Sequence, residues 1–136
     1  PSLDITAVDE LLRYDGPVQQ TARVPLVPVT FTGAHGETVV AVPGRLVLTV
    51  LGAGNHDPAM FDAPHELRLD RPNAAKHLSF GGGIHYCLGA SLAKLEAGVA
   101  ITKLIRRFDT IELAGAPHWR GRVTIRGVDR LPLTLS

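Results

Sequence analysis

An α+β fold is predicted for this chain by three observations. Two amphipathic helical patterns stand far apart in the sequence, short apolar runs of strand character lie between and after them, and backbone breakers are dense elsewhere. The first helical pattern is Ile5, Val8, Leu11 and Leu12; the second runs from Leu88 through Leu92, Leu95 and Val99 to Phe108. Fourteen glycines and ten prolines predict much irregular backbone, a heavy load for a self-contained fold of 136 residues. The length suits one domain, here residues 1–136 read as a single partial domain.

The first helix is expected to start near Asp4 or Thr6 as N-cap and to stop about Tyr14, before Gly16-Pro17. On it Glu10 and Arg13 stand three apart and share a face, which by itself describes a surface ion pair. Residues 24–31 and 37–42 flank the turn-like Gly33-Ala-His-Gly36 and predict a hairpin, with Pro25 and Pro28 making the first strand an edge or a broken one. Residues 46–51 form a nearly all-apolar run that reads as a buried strand. Residues 52–79 are dominated by breakers and read as a long structured loop with a short helical turn around residues 59–61. The second helix, after Gly89, has an apolar stripe wide enough to be packed on two sides. Beyond it, residues 111–113, 123–125 and 133–135 read as strands of small terminal hairpins.

Composition excludes several classes. The formal charge is +1 with the signs interspersed, so nucleic acid is not an expected partner. The most apolar stretch, residues 46–54, is too short to cross a bilayer, and no signal peptide or anchor is expected. A single cysteine fits a reducing cytoplasm. The chain opens at Pro1 without a methionine, close to a helical pattern, and is expected to be part of something longer.

The informative stretch is residues 80–89, Phe-Gly-Gly-Gly-Ile-His-Tyr-Cys-Leu-Gly, which holds that cysteine, Cys87. A lone cysteine is most often a small buried hydrophobe. A phosphate cradle lacks its third glycine, because Tyr86 stands there, and a zinc site lacks further ligands at suitable spacing. A nucleophilic thiol served by His85 is conceivable, but residues two apart do not usually face each other and no third orienting group is evident. The remaining reading is a thiolate metal ligand. Cys87 lies just before a helix N-terminus, which favours an anion, and glycines let the loop approach a flat group closely. One cysteine, no other soft ligand and a flat approach suggest the axial ligand of haem.

The pattern Phe80-x-x-Gly83-x-His85-x-Cys87-x-Gly89 resembles the haem-binding signature of the cytochrome P450 monooxygenases, especially the soluble bacterial type. Glu10-x-x-Arg13 upstream resembles that family's Glu-x-x-Arg helix, and the resemblance extends over about residues 8–135. It implies the carboxy-terminal portion of a mostly helical fold: Glu-x-x-Arg helix, small sheet, cysteine loop, long helix and terminal hairpins. It also implies haem b, iron protoporphyrin, with Cys87 as the axial thiolate and the metal ligand. Phe80 would pack near the sulfur, and Gly83 and Gly89 would let the loop turn beside the ring. His85 and Arg23 would hydrogen-bond the propionates. Glu10 and Arg13 would form a buried structural ion pair locking the helix to the loop before Phe80.

Three departures from the family pattern stand out. Gly82 replaces a frequent histidine, His56 occupies an arginine position in Asn55-His56-Asp57-Pro58, and Glu66 occupies another. The third partner of the Glu10–Arg13 pair is therefore left open between Arg68 and Arg71. No residue of the chain is assigned a catalytic role, because the family's oxygen-activating helix and most of its substrate pocket have no counterpart here. The implied function is the haem-thiolate part of a monooxygenase inserting one atom of O2 into a small organic substrate, with electrons from a ferredoxin or flavoprotein. A second chain supplying the other half is a further possible partner. The alternative is a truncated or split haem-binding remnant without turnover. Lys94, Lys103, Arg106 and Arg107 can be drawn as a docking face for a redox partner, but solvated helix surface is the simpler expectation.

Overall fold

The computed structural model describes residues 4–136; Pro1, at which the chain opens, lies outside the described residues. Helix α1, Ile5–Asp15, is capped by the Asp4 carboxylate, whose Oδ1 accepts the Ala7 N–H at 2.9 Å. It ends at Gly16, where an added Cβ would stand 2.6 Å from the Leu12 carbonyl oxygen and 2.7 Å from Ser79 Oγ. The glycine lets the chain turn tightly against the segment leading to the cysteine loop.

Four short strands follow: β1 (Thr21–Arg23), β2 (Val29–Thr32), β3 (Thr38–Ala41) and β4 (Val47–Thr49). The expected hairpin is β2–β3, antiparallel, with Phe31 opposite Val39. Its first strand begins only at Val29, after both prolines, since a proline cannot donate to the ladder. Strand β4 pairs with β1 and sets Arg23 opposite Val47. The expectation of a buried strand there is overturned. Leu48 is 54 % exposed and Leu46 66 %, because no element among the described residues covers that face, and burial begins only at Leu51.

Leu51 opens α2 (Leu51–Gly54), so two glycines read as breakers lie in a single helical turn. The rest of residues 52–79 is irregular. It includes the expected turn near residues 59–61, where Met60 and Phe61 N–H groups donate to the Asp57 carbonyl, and a 3-10 turn at Ala74–Lys76. Helix α3, Ala90–Arg107, packs against α1. Val8 meets it at Gly98, where an added Cβ would lie 3.9 Å from Val8 Cγ2. Two-sided packing of α3 is not seen: Leu92, Leu95 and Val99 are exposed and Ala90 alone is buried on this helix.

At the end of the chain, β5 (Ile111–Leu113) pairs with β8 (Leu133–Leu135), enclosing β6 (His118–Trp119) and β7 (Val128–Arg130), which pair with each other. Residues 123–125 are not a strand; Ile125 makes one isolated bridge to Val18. The molecule is thus an α+β arrangement of helices and four two-stranded sheets.

The buried interior is small and unusually polar. Its apolar members are Ala7, Val8, Leu51, Phe61, Ala74 and Ala90, and beside them lie Asp9, Glu10, Arg13, Asn55, Arg71, His77 and Ser79. No buried side-chain nitrogen or oxygen among the described residues lacks a hydrogen-bond partner. Such full pairing is the condition under which polar groups can stand in for a hydrophobic core.

Candidate functional site

The polar interior begins with Glu10 and Arg13 on α1. The surface-pair description of them does not hold, since they are 0 % and 1 % exposed. Arg13 Nε donates to Glu10 Oε2 at 2.6 Å and Nη2 to Oε1 at 2.9 Å, a bidentate fork. The remaining Arg13 donors reach the carbonyls of Asn55, Pro64 and Glu66. Arg71 supplies the third charge: its Nε lies 3.0 Å from both Glu10 oxygens, and its Nη atoms donate to the carbonyls of Asp62, Ala63 and Glu66. Arg68 contributes its backbone N–H to Glu10 Oε1 at 3.0 Å, while its side chain reaches the exposed Asp62.

One carboxylate and two guanidinium groups therefore organise the irregular segment 55–71. They do so through backbone oxygens, which is why Glu66 serves as well there as any residue. Burial alone pushes the Glu10 carboxyl up, but hydrogen bonds from Arg13, the Arg68 N–H and Arg71, with the charge of Arg13, outweigh it and bring the pKa to about 2 from 4.5.

That scaffold leads to the cysteine loop. Asn55 Nδ2 donates to Ser79 Oγ at 2.9 Å, and Ser79 Oγ donates to the Leu12 carbonyl at 2.6 Å. The chain then turns through Gly81 and Gly83, both at positive φ (+73° and +60°), the region that favours glycine. Gly83–His85 form a 3-10 turn, and the Cys87 N–H donates to the Phe80 carbonyl at 2.9 Å, closing the loop. The Cys87 carbonyl accepts the N–H of Ala90, the first residue of α3. Cys87 is a free, exposed thiol.

A cavity of about 300 Å³ is lined by Cys87, His85, Phe80, Gly81, Ser79 and Arg23, with Leu12, Val18 and Leu51. Four of the six sequence-predicted cofactor residues thus border one space: Arg23 from β1, and Phe80, His85 and Cys87 from the loop. Gly83 and Gly89 frame the loop without lining that cavity. An added Cβ at Gly82 or Gly83 would meet nothing within 4 Å, and at Gly89 only Cys87 Sγ at 4.0 Å. Crowding within the chain therefore does not account for these glycines. Arg23 lies exposed, with Nη1 donating to Thr21 Oγ1 and the Ala22 carbonyl.

A second buried cluster was not foreseen from the sequence. Asp9 Oδ1 receives Lys94 Nζ at 2.6 Å and lies 3.3 Å from His77 Nε2. The Ser79 N–H donates to His77 Nδ1, which leaves the ring proton on Nε2, facing Asp9. Burial lowers the His77 pKa from 6.5, and Lys94 adds to the lowering, against the opposing pull of Asp9. Lys94 is thereby removed from any exposed docking face: its side chain is only 17 % accessible and turned onto α1. The sequence signal for Lys94 is its place on the polar side of the second helix, which is too weak to name a partner on another helix. His56 stacks on His65 and meets the Tyr14 ring at a tilt, with its Nδ1 at 3.0 Å from the Gly52 carbonyl; His56 does not join the Glu10 network.

Comparison with known proteins places this geometry. The family model "Cytochrome P450" matches residues 5–118, and the chain belongs to the cytochrome P450 family. It is 42 % identical over 136 residues to "Putative cytochrome P450 140" of Mycobacterium bovis, covering all of this chain and 30 % of that protein. It is 43 % identical over 141 residues to "Polyketide biosynthesis cytochrome P450 PksS" of Bacillus subtilis, covering all of this chain and 33 % of that protein. Among solved structures, P450BioI in complex with a hexadec-9Z-enoic acid-ligated acyl carrier protein superposes with a TM-score of 0.85 at 41 % identity. That match covers 97 % of this chain and 33 % of the other. The chain spans about a third of the length of the relatives it matches, and its α+β arrangement is a portion of the cytochrome P450 fold. Among the described residues no helix is long and apolar enough to cross a membrane.

The donor set fits haem. A free thiol at the mouth of a helix, with an imidazole and a guanidinium on the same cavity, is chemically suited to an iron ligand and to partners for carboxylates.

Proposed function

We propose that this chain is the haem-thiolate part of a cytochrome P450-type monooxygenase, with Cys87 as axial ligand to haem b. The observation that carries the reading is the convergence of Cys87, His85, Phe80 and Arg23 on one cavity beside glycines that the chain itself does not crowd. When bound, haem would supply the oxygen chemistry by which one atom of O2 enters an organic substrate.

The roles of the residues follow from their atoms. Cys87 Sγ would hold the iron, and its amide is tied to the Phe80 carbonyl. Phe80 would shield the sulfur from water on one side. His85 and Arg23 would donate hydrogen bonds to the propionates. Gly83 and Gly89 would keep the loop low beside the ring. The Glu10–Arg13–Arg71 network holds the irregular segment from which the loop departs.

The substrate would be a small organic molecule. Its closeness to relatives named for polyketide and for biotin biosynthesis favours an acyl or polyketide skeleton. Electrons would come from a ferredoxin or flavoprotein. A second reading, a haem-binding remnant with no turnover of its own, is favoured by one observation: Cys87 and its neighbours Ile84, Tyr86 and Leu88 are exposed.

Haem reconstitution followed by the spectrum of the reduced carbon monoxide complex tests the ligand. A thiolate-type Soret band is expected in the wild-type chain and not in Cys87→Ser. The same band in both, or none in the wild type, would overturn the assignment of Cys87.

A further inference from the structure

Asp9, His77 and Lys94 make no side-chain bond to the Glu10 network, and two of them, His77 and Lys94, lie against one ring that borders the cavity. The His77 ring lies 5.5 Å from the Phe80 ring, and Lys94 Nζ lies 5.9 Å from the Phe80 centroid. Phe80 is half-buried between them and also packs edge-on against Tyr86 at 6.2 Å. Its carbonyl takes the Cys87 N–H. Three separate elements are thereby tied together: α1 through Asp9, the segment before the loop through His77, and the start of α3 through Lys94.

We infer that Asp9, His77 and Lys94 are positioning residues for Cys87, seating Phe80 so that its carbonyl fixes the Cys87 amide. Their importance for ligation rests on reading Cys87 as the haem ligand; the positioning itself does not. The cluster is constrained in a manner that a surface ion pair is not. Asp9 is 4 % exposed, and its Oδ1 takes both Lys94 Nζ at 2.6 Å and His77 Nε2 at 3.3 Å. His77 is fixed in one tautomer by Ser79, the residue next to Phe80, so the imidazole cannot rotate without breaking a bond on each side. A cation placed near an aromatic ring and held by a buried anion restricts how far the ring can move. Phe80 in turn is joined to Cys87 by a backbone hydrogen bond, the shortest route by which a side-chain cluster can set the orientation of a loop residue.

Residue-resolved amide hydrogen exchange of the chain without haem reads this directly. Lys94→Met is expected to speed exchange of the Cys87 amide about tenfold while the amides of the β2–β3 hairpin keep their rates, and Lys94→Arg is expected to return Cys87 to within about twofold of wild type. Asp9→Asn, which keeps the shape and removes the charge, is expected to act in the same direction and more gently. Unchanged Cys87 exchange in Lys94→Met overturns the inference. So does a uniform rise across α1, the loop and the hairpin in both variants, because that describes general destabilisation. The carbon monoxide spectrum separates the two readings. If the wild type shows no thiolate band but the Cys87 amide still responds selectively to Lys94→Met, haem ligation falls and the positioning stands. If the band is present and the amide does not respond, the reverse holds.

Discussion

At the scale of single residues, Glu10 and Arg71 decide more than any apolar side chain in the chain. Arg71 is 1 % exposed and bonds both oxygens of Glu10 and three loop carbonyls. Removing it takes a charged donor from each of those carbonyls and leaves Glu10 with one guanidinium instead of two. Arg71→Ala is therefore expected to lower unfolding stability by about 3–5 kcal/mol, the cost of breaking a buried charged cluster by deleting one partner. Arg68 provides the control. Its side chain pairs at 3.4 Å with an Asp62 that is 93 % exposed, and what it gives Glu10 is a backbone N–H that an alanine retains. Arg68→Ala is expected to cost less than about 1 kcal/mol. Denaturant titration of the two variants checks this, and equal losses would show that Arg71 is not the third member of the network.

At the scale of elements, α1 is bound to the loop segment by two carboxylates set side by side, and acid should release it in two stages. His77 has a folded pKa below 6.5, so between that value and 6.5 the unfolded chain binds more protons and stability falls as pH drops. Glu10 contributes stability that is complete above 4.5 and is lost as pH falls from 4.5 towards about 2, roughly 3 kcal/mol over that range. The melting temperature of the wild type should therefore decline gently below pH 6.5 and steeply below 4.5. Glu10→Gln should start lower at neutral pH and show a flatter acid limb, and an unchanged limb would remove Glu10 from the account. This element pairing was only half legible in the sequence. Glu10-x-x-Arg13 and the spacing of Phe80, His85 and Cys87 lie within single short segments, so they can be read as motifs through the family they resemble, although spacing alone describes Glu10 and Arg13 as a surface pair. Arg71 meets Glu10 across 61 residues and His77 meets Asp9 across 68, through a segment with no periodicity to fix where it returns. The reading of residues 46–51 as a buried strand failed for a different reason. An apolar run reports that a face is suited to burial, and the cover for that face is not among the described residues.

At the scale of the whole molecule, the exposed apolar surface shows how the site is bounded. Ile84 and Leu88, on either side of Cys87, are 97 % and 103 % exposed, and Leu26 beyond β1 is 90 % exposed. Isolated exposed apolar residues are ordinary, but two flanking an exposed candidate ligand show that the described residues leave this part of the loop uncovered. The described residues bring the exposed Cys87 thiol to one cavity with His85 and Arg23, and oxygen chemistry needs a site from which water is excluded. Binding and turnover should then separate. The chain alone is expected to load haem with a thiolate spectrum yet give no O2-dependent product from an organic substrate in the presence of a ferredoxin and its reductase. Supplying the remaining two thirds of a close relative, either fused or as a separate chain, is expected to restore product, with Cys87→Ser abolishing it. Product from the 136-residue chain alone would mean that Arg23, His85 and the loop build a more complete site than their exposure implies. Haem loading without product even in the complemented protein would favour the remnant reading instead.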